Sequence, residues 1–179
     1  MPYTPIHSSV AYLARQFIPK LSLPALLVST MAPDLEIPLI YAATSGQYSR
    51  LVLHSLLGAI TLATTLSVVL VAFAYPPVVS YLFKIDIKTI KDRCRLSWSL
   101  VAICLVGGLS HVLIDSLHHR YNPLFYPFTY SSYDAFVFMN DWALASVVIP
   151  IAFLSLLVLF VAREIKKGTK DIWKRLLVE

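Results

Sequence analysis

The sequence is poor in charged residues. Only 14% of its 179 residues are Asp, Glu, Lys or Arg, whereas about 25% is usual in a soluble domain. The deficit is concentrated in the stretches 51–83, 96–114 and 142–162, which contain no charged residue. About 20 consecutive apolar residues are enough to cross a bilayer as a helix. The composition therefore excludes an ordinary soluble protein and predicts a multi-pass protein of the cell membrane.

Cysteine is also scarce. The two cysteines, Cys94 and Cys104, lie in a basic loop and inside an apolar stretch, respectively. Two cysteines in such positions do not indicate a disulfide framework.

Positive charge outweighs negative charge, and the formal net charge is +5. Such a balance can indicate nucleic-acid binding, but here the basic residues flank the apolar stretches. Most of them lie in 84–95 and 163–175. The positive-inside rule and the anionic headgroups of the membrane account for this placement. We therefore expect membrane lipids, and no nucleic acid, as partners.

The charge pattern predicts an all-α, polytopic membrane helical bundle that forms a single domain over residues 1–179. The loop at 84–95 and a basic tail at 164–179 should lie on the cytoplasmic side. Between residues 51 and 163 the pattern predicts three full spans, at about 53–76 running inward, 96–117 running outward and 142–162 running inward.

Local signals predict where these spans end. The sequence "YPP" at 75–77 should end the first span, because proline disrupts a helix and restricts the preceding residue. Asn140 or Asp141 can cap the start of the last span, with Trp142 at the membrane interface.

Residues 1–50 predict a helical hairpin whose tip, at 15–20, faces the cytoplasm. Its second arm is interrupted by Pro33 and Asp34, so it should be kinked or unwound at the proline. Non-helical backbone at membrane depth is tolerated only where it is buried in protein or lines a cavity. This interruption therefore points to a site near Asp34.

The stretch "SHVLIDSLHH" at 110–119 places one carboxylate and three imidazoles at the end of an apolar helix. His111 and Asp115 are four residues apart, so their side chains are neighbours on one helix face and can hold one ion. Together with His118 and His119, they lie on one stripe of the helix surface that is about 100° wide. Ionisable residues at membrane depth are costly and usually have partners or functions. The pattern favours a metal site.

The topology brings further potential ligands to the same level of the membrane. His111 and Asp115 lie at the outer end of an outward-running span, and His54 lies at the outer start of an inward-running span. Asp34 lies on the returning arm of the hairpin and His7 opens its first arm. The site is therefore expected toward the extracytoplasmic side.

Simpler interpretations exist for each residue taken alone. A single His in an apolar segment is usually a packed core residue, and Asp34 could be a helix cap beside Pro33. The whole cluster could also serve proton or ion passage. The spans carry no ionisable group along most of their length, however, which favours a localised site over a pathway. A non-catalytic, metal-binding structural or transport protein remains the alternative to an enzyme.

Several motifs together resemble a known family. The segments "MPYTPIHSS", "STMAPDLE", "HSLLG" and "GGLSHVLIDSLHHRYNPLFYPF" are similar to the YdjM-like family of membrane-bound metal-dependent hydrolases. The resemblance covers about the first 130 residues of the chain. The combination is more specific than any single segment, and it implies a hydrolase that binds its metal within the membrane domain.

The order of ligands is also similar to that of zinc-dependent phospholipase C, an all-helical enzyme. Its His, loop Asp, helical His and helical HxxxD match His7, Asp34, His54, His111 and Asp115. The later His and His-xxx-Glu ligands of that enzyme have no clear match, although His119 could replace one of them. This resemblance therefore implies one or two ions instead of three.

Imidazole and carboxylate ligands without a thiolate suit Zn²⁺ best, with Mn²⁺, Fe²⁺ and Mg²⁺ as alternatives. One ion is expected among Asp34, His54, His111 and Asp115. A second ion is expected at His7 and His119, with Asp115 bridging the two. Asp34 or Glu36 is the candidate catalytic base, and His118 is a candidate to orient a neighbouring ligand.

The expected position of the site, near the outer headgroups, predicts the substrate class. A phosphate ester of a lipid, or a lipid-linked phosphate ester, is the substrate that this position offers. Arg120 and the aromatic run at 121–133 could contact a headgroup, but an aromatic belt at the interface accounts for that run better.

Overall fold

The computed structural model describes residues 4–179, and every regular element within that range is helical. This confirms the predicted all-α bundle. The main helices are α1 (Thr4–Phe17), α2 (Leu23–Ser29), α3 (Ile37–Ala43), α4 (Leu56–Phe83), α5 (Ile87–Arg93), α6 (Trp98–His118), α7 (Trp142–Lys166) and α8 (Ile172–Leu177).

Three helices, α4, α6 and α7, are long and apolar enough to cross a membrane, as predicted. A bent pair formed by α2 and the segment Ala32–Ala43 would make a fourth crossing if it is counted as one span. The last span begins as the sequence indicates, because the Asp141 carboxylate accepts hydrogen bonds from the N–H groups of Ala143 and Leu144. This N-cap satisfies backbone donors that would otherwise face apolar surroundings.

The prediction that the prolines at 75–77 end the first span is wrong. Helix α4 continues through Pro76 and Pro77 to Phe83. A π-helical turn over Leu70–Ala74 directly precedes the prolines. In a π-turn the N–H groups bond to carbonyls one residue further back than in an α-helix. Pro76 and Pro77 have no N–H group to donate, and the changed hydrogen-bond pattern before them accommodates this loss, so the helix does not break.

The predicted kink at Pro33 is present. The axes of α2 and the following segment differ by 41°, and a short 3₁₀ turn over Ala32–Glu36 lies between them. The turn places Asp34 and Glu36 in the protein interior. The bend therefore delivers two carboxylates to the bundle core.

Helix α2 packs closely against α6 at a glycine. A Cβ atom placed on Gly107 would overlap the side chain of Ser29 on α2. Only a residue without a side chain permits this approach of the two helices. The close approach brings the bend that follows α2 next to the HxxxD segment of α6.

The basic loop, the hairpin tip and the C-terminal segment lie at one end of the bundle, as predicted. The hydroxyl of Ser22, two residues after the hairpin tip, donates to the carbonyl of Arg93 over 2.7 Å. The rings of Phe83 and Trp173 are 4.8 Å apart. We refer to this end as the basic end.

The residues predicted as a basic tail fold back onto the bundle. The Tyr12 hydroxyl donates to the carbonyl of Leu176 over 2.8 Å, and the Tyr75 hydroxyl donates to that of Leu177 over 2.7 Å. Val178 is fully buried. Helix α8 is thus part of the packed fold.

Candidate metal centre

Helix α6 supplies the first two side chains of the candidate site. His111 and Asp115 are buried, one turn apart, with 3.4 Å between His111 Nε2 and Asp115 Oδ2. His111 Nδ1 lies 2.7 Å from the carbonyl oxygen of Thr30, at the bend after α2. A carbonyl only accepts hydrogen bonds, so Nδ1 must carry the proton. The Nε2 lone pair of His111 therefore points toward Asp115.

His54 enters from the segment just before α4. Its Nδ1 lies 2.7 Å from Glu36 Oε1, so Nδ1 donates to the carboxylate. Its Nε2 lies 3.3 Å from His111 Nε2 and 3.4 Å from Asp115 Oδ2. The Nε2 atoms of two imidazoles thus face each other, and a direct contact of two lone pairs is unfavourable without a cation or proton between them.

Asp34 completes the group from the 3₁₀ turn. Its Oδ1 lies 3.4 Å from His54 Nε2 and 3.5 Å from His111 Nε2. Including the contacts above, five of the distances among four ligand atoms fall between 3.3 and 3.5 Å. Zinc bonds of about 2.0–2.1 Å in a regular tetrahedron require ligand atoms about 3.3–3.4 Å apart. The spacing therefore fits one tetrahedral metal ion, and we call this group the tetrahedral set: Asp34, His54, His111 and Asp115.

The hydrogen bonding of the carboxylates supports the same fit. All four oxygens of Asp34 and Asp115 are buried, and none has a hydrogen-bond partner among the described residues. A buried carboxylate oxygen without a donor is costly. A metal ion at the centre of the tetrahedral set would compensate both carboxylates, so the side chains present suit a bound cation.

A second group adjoins the first through the other oxygen of Asp115. Asp115 Oδ1 lies 3.2 Å from His7 Nε2 and 3.4 Å from His119 Nε2. The structure therefore brings both residues of the predicted second ion into contact with the carboxylate predicted to bridge. Each carboxylate oxygen of Asp115 faces a different set of imidazoles.

His118, which was predicted to orient a neighbouring ligand, is buried close to Asp115 and His119. Its Nδ1 lies 2.9 Å from the carbonyl oxygen of Ile114, within the same helix. Its Nε2 is buried with no hydrogen-bond partner among the described residues. The side chains of Asp115, His118 and His119 are close enough to hold one ion together. His118 is therefore placed as a possible ligand as well as a neighbour of one.

Glu36 lies behind the tetrahedral set and not within it. Its Oε1 accepts from the backbone N–H of Leu51 at 2.9 Å and from the His54 ring at 2.7 Å, and its Oε2 accepts from the N–H of Leu53 at 2.7 Å. This is the usual carboxylate–histidine–metal arrangement, in which the outer carboxylate fixes the tautomer of the ligand. These contacts favour a positioning role for Glu36 over that of a base.

The sequence prediction missed Arg50. Its Nε lies 3.3 Å from Asp115 Oδ2, and its side chain is 11% exposed. Arg50 is the only charged residue between Glu36 and Lys84 in the sequence. Its isolation could have identified Arg50 as a site residue, because a single cation in a long uncharged stretch needs a partner.

The histidines outside the spans have shifted pKa values. Burial lowers the pKa of His54, but its contacts with Asp115, Asp34 and Glu36 outweigh burial and raise the pKa above the ordinary value. Burial lowers the pKa values of His7 and His119, although Asp115 opposes both shifts. Neutral imidazoles are the form that binds metal. His7 and His119 are therefore already in that form near neutral pH.

A cavity of about 350 Å³ opens beside the site. Its lining residues are His119, Arg120, Asp134, Val137, Asn140 and Trp142. The guanidinium of Arg120 lies 5.4 Å from the ring centre of Trp142. Since His119 is shared by the cavity and the second group of ligands, the cavity provides an approach to the site from outside.

Comparison with known proteins identifies a family. A family model described as "YdjM inner membrane protein" matches residues 6–176, which is nearly the whole chain. Neither a curated protein nor a solved structure matches the chain. The matched segment contains every residue of the tetrahedral set as well as His7, Glu36, Arg50 and His119.

Proposed function

The chain belongs to the YdjM inner membrane protein family, and we propose that it is a membrane-embedded, metal-dependent hydrolase. Its proposed substrates are phosphate esters of lipids or of lipid-linked molecules. The observation that carries this proposal is the tetrahedral set, in which five distances between ligand atoms are 3.3–3.5 Å and no described residue donates a hydrogen bond to the carboxylate oxygens. Such a set is suited to bind a zinc ion, which can activate water if its coordination expands to five ligands.

Zinc is the metal that we propose. Two imidazoles and two carboxylates in a tetrahedron, without a thiolate, are typical zinc ligands, whereas Mg²⁺ requires an octahedron of oxygens. When bound, zinc lowers the pKa of a coordinated water to about 7 and polarises a phosphoryl oxygen. His7 and His119, on the other oxygen of Asp115, are the proposed ligands of a second ion.

The side chains around the ion have separate proposed roles. His54 and His111 are held in the correct tautomer by Glu36 and by the Thr30 carbonyl, respectively. Asp34 Oδ1 belongs to the tetrahedral set, and Asp34 Oδ2 has no hydrogen-bond donor within the described part of the chain. Oδ2 is therefore our candidate to accept a proton from the attacking water. Burial of the whole group keeps bulk water away from the reacting atoms.

The substrate class follows from the position of the site in the membrane. The site lies at the end of α6 that is opposite to the basic end. By the positive-inside rule the basic end is cytoplasmic, which puts the site and the C terminus on opposite sides of the membrane. The cavity at His119 and Trp142 would then open among the outer headgroups. Phosphate esters of lipids are among the hydrolysable groups at that depth.

One observation favours a second candidate function, a structural metal site. Structural zinc sites have four protein ligands, whereas catalytic sites usually have three and keep a position for water. The tetrahedral set offers four residues from three segments, since His111 and Asp115 both lie on α6. A zinc ion here could hold the bend after α2 to α4 and α6 without catalysis. Transport is not favoured, because α4 carries no Asp, Glu, His, Lys or Arg from Leu56 to Phe83.

Metal content and turnover together test the proposal. Detergent-purified protein should contain stoichiometric zinc by elemental analysis and should hydrolyse a phospholipid or a generic phosphodiester. Asp115→Ala should lose both metal and activity, because Asp115 contributes an oxygen to each group of ligands. The matched control is Asp86→Ala, which removes a helix cap at the basic end and should leave metal and activity unchanged. Stoichiometric zinc without turnover of any phosphate ester would favour the structural function.

A further inference from the structure

Arg50 stands apart from the other basic residues. The chain has 15 Lys and Arg residues, and within residues 4–179 all except Arg50 and Arg120 lie toward the basic end. Arg50 is mostly buried beside the tetrahedral set, whereas Arg120 lies against Trp142 in the cavity beside His119. A buried guanidinium this close to candidate metal ligands requires a reason, because metal and guanidinium are both cations.

The charges of the site supply that reason. Asp34, Glu36 and Asp115 contribute three negative charges when ionised. When only the tetrahedral set holds a divalent ion, the metal contributes two positive charges and Arg50 contributes one, so with neutral imidazoles these charges balance. Without Arg50 the site would retain a net negative charge next to the ion. Such a charge would repel a phosphate group, whereas the balanced site admits one.

The geometry gives Arg50 a free donor. Its Nε is 3.3 Å from Asp115 Oδ2 but makes no hydrogen bond with any described residue. That oxygen is also the one placed to bind the ion. An ion at the tetrahedral set would therefore take Oδ2 from Arg50 and leave its guanidinium to bind another anion. Arginine binds phosphate oxygens through paired N–H donors, more specifically than lysine does.

The loop that carries Arg50 is held rigidly. The N–H of Leu51, the next residue, donates to Glu36 Oε1 over 2.9 Å, and the N–H of Leu53 donates to Oε2 over 2.7 Å. The same carboxylate orients His54. One buried carboxylate therefore sets the position of a metal ligand and of Arg50 together, as a binding site for a defined anion requires.

We infer that Arg50 binds a non-bridging oxygen of the substrate phosphate and so determines specificity for anionic phosphate esters. When only the tetrahedral set holds an ion, Arg50 supplies a positive charge comparable to that of the second metal ion in two-metal sites. This inference rests on the proposed hydrolase function for its substrate. It differs from a structural role for Arg50, in which the guanidinium serves only to neutralise Asp115.

Binding of inorganic phosphate tests the inference without turnover. Phosphate is titrated by calorimetry into detergent-purified wild type, Arg50→Gln, Arg50→Lys and the control Arg95→Gln, which removes a cation at the basic end. Loss of a hydrogen bond to a charged group should weaken phosphate binding by about 10–100-fold in Arg50→Gln. Arg50→Lys should recover part of the affinity, since it keeps the charge and loses the planar fork. Metal content should be equal in all four proteins.

Each outcome decides the matter. Phosphate affinity within about two-fold of wild type in Arg50→Gln, or no phosphate binding by wild type, would overturn the inference. Loss of metal from Arg50→Gln would also overturn it, because Arg50 would then be a structural partner of Asp115. Arg50-dependent phosphate binding by a protein that hydrolyses no phosphate ester would refute the hydrolase and leave the anion site established. If purified wild type holds no metal, zinc is added to one equivalent before the titration, and a wild type that takes up no zinc would also overturn the inference, because the ion is what frees Arg50 from Asp115.

Discussion

Replacing Glu36 by Gln should weaken metal binding although Glu36 does not touch the metal position. Glu36 accepts from the N–H groups of Leu51 and Leu53 and from the His54 ring. The Gln side chain has one oxygen where Glu has two, so it can direct an acceptor either to His54 and Leu51 or to Leu53. With the oxygen toward His54, its NH₂ group faces the N–H of Leu53, so one acceptor is lost and two donors oppose each other in the interior. Such a mismatch costs about 1–3 kcal/mol.

The expected effect on the metal follows from the ring of His54. A weaker hydrogen bond at Nδ1 makes Nε2 less basic and the ring less fixed. Loss of such an outer partner typically costs 10–100-fold in metal affinity. We expect Glu36→Gln to lower zinc affinity by about that factor, measured by competition with a chromogenic chelator. The apparent unfolding temperature in detergent should also fall.

The control is Glu164→Gln, which removes a carboxylate paired with Arg175 at the basic end and should leave zinc affinity unchanged. Unchanged zinc affinity in Glu36→Gln would refute the positioning role. If activity alone were lost, with affinity and unfolding temperature retained, Glu36 would instead be the base, as the sequence also allowed.

Two further predictions concern packing and pH. Gly107→Ala should destabilise the protein by about 1–3 kcal/mol, because its methyl group would overlap Ser29. Gly108→Ala should be tolerated, since its methyl group would meet ordinary contacts at 3.5 Å or more. Thermal unfolding in detergent compares the two variants, and equal losses of stability would contradict the close packing of α2 on α6. Because the pKa of His54 is raised in the folded protein, protonated His54 stabilises the metal-free protein. This stabilisation is complete at pH values below the ordinary His pKa of about 6.5, and it is lost as the pH rises through the raised pKa. Zinc must displace the same proton, so its affinity should rise over that window, and a pH-independent zinc affinity would argue against His54 as a ligand.

Much of the fold follows from the sequence because the membrane imposes simple rules. Long uncharged stretches have to be helical, so α4, α6 and α7 were predictable in number and approximate position. Clustered Lys and Arg identified the basic end. The continuation of α4 through Pro76 was not predictable, because it depends on a π-turn whose hydrogen bonds leave no clear sequence pattern.

The candidate site was predictable where spacing fixes geometry. His111 and Asp115 share a helix face by their separation alone, and the chain direction brought His54 and Asp34 to the same level. The role of Glu36 depends on which way a short 3₁₀ turn directs adjacent side chains, which spacing does not determine. Arg50 lies in an irregular loop whose path is set by backbone hydrogen bonds to Glu36. Tertiary contacts of that kind have no periodic signal.

X-ray absorption spectroscopy at the zinc edge, on protein purified in detergent, tests the metal centre most directly. The tetrahedral set predicts stoichiometric zinc bound by nitrogen and oxygen at about 2.0–2.1 Å, with imidazole scattering and no sulfur ligand. His111→Ala should lose that signal, because it removes one ligand atom and the hydrogen bond to the Thr30 carbonyl. Wild-type protein without stoichiometric metal, or a His111→Ala spectrum identical to that of wild type, would contradict a metal centre at these residues.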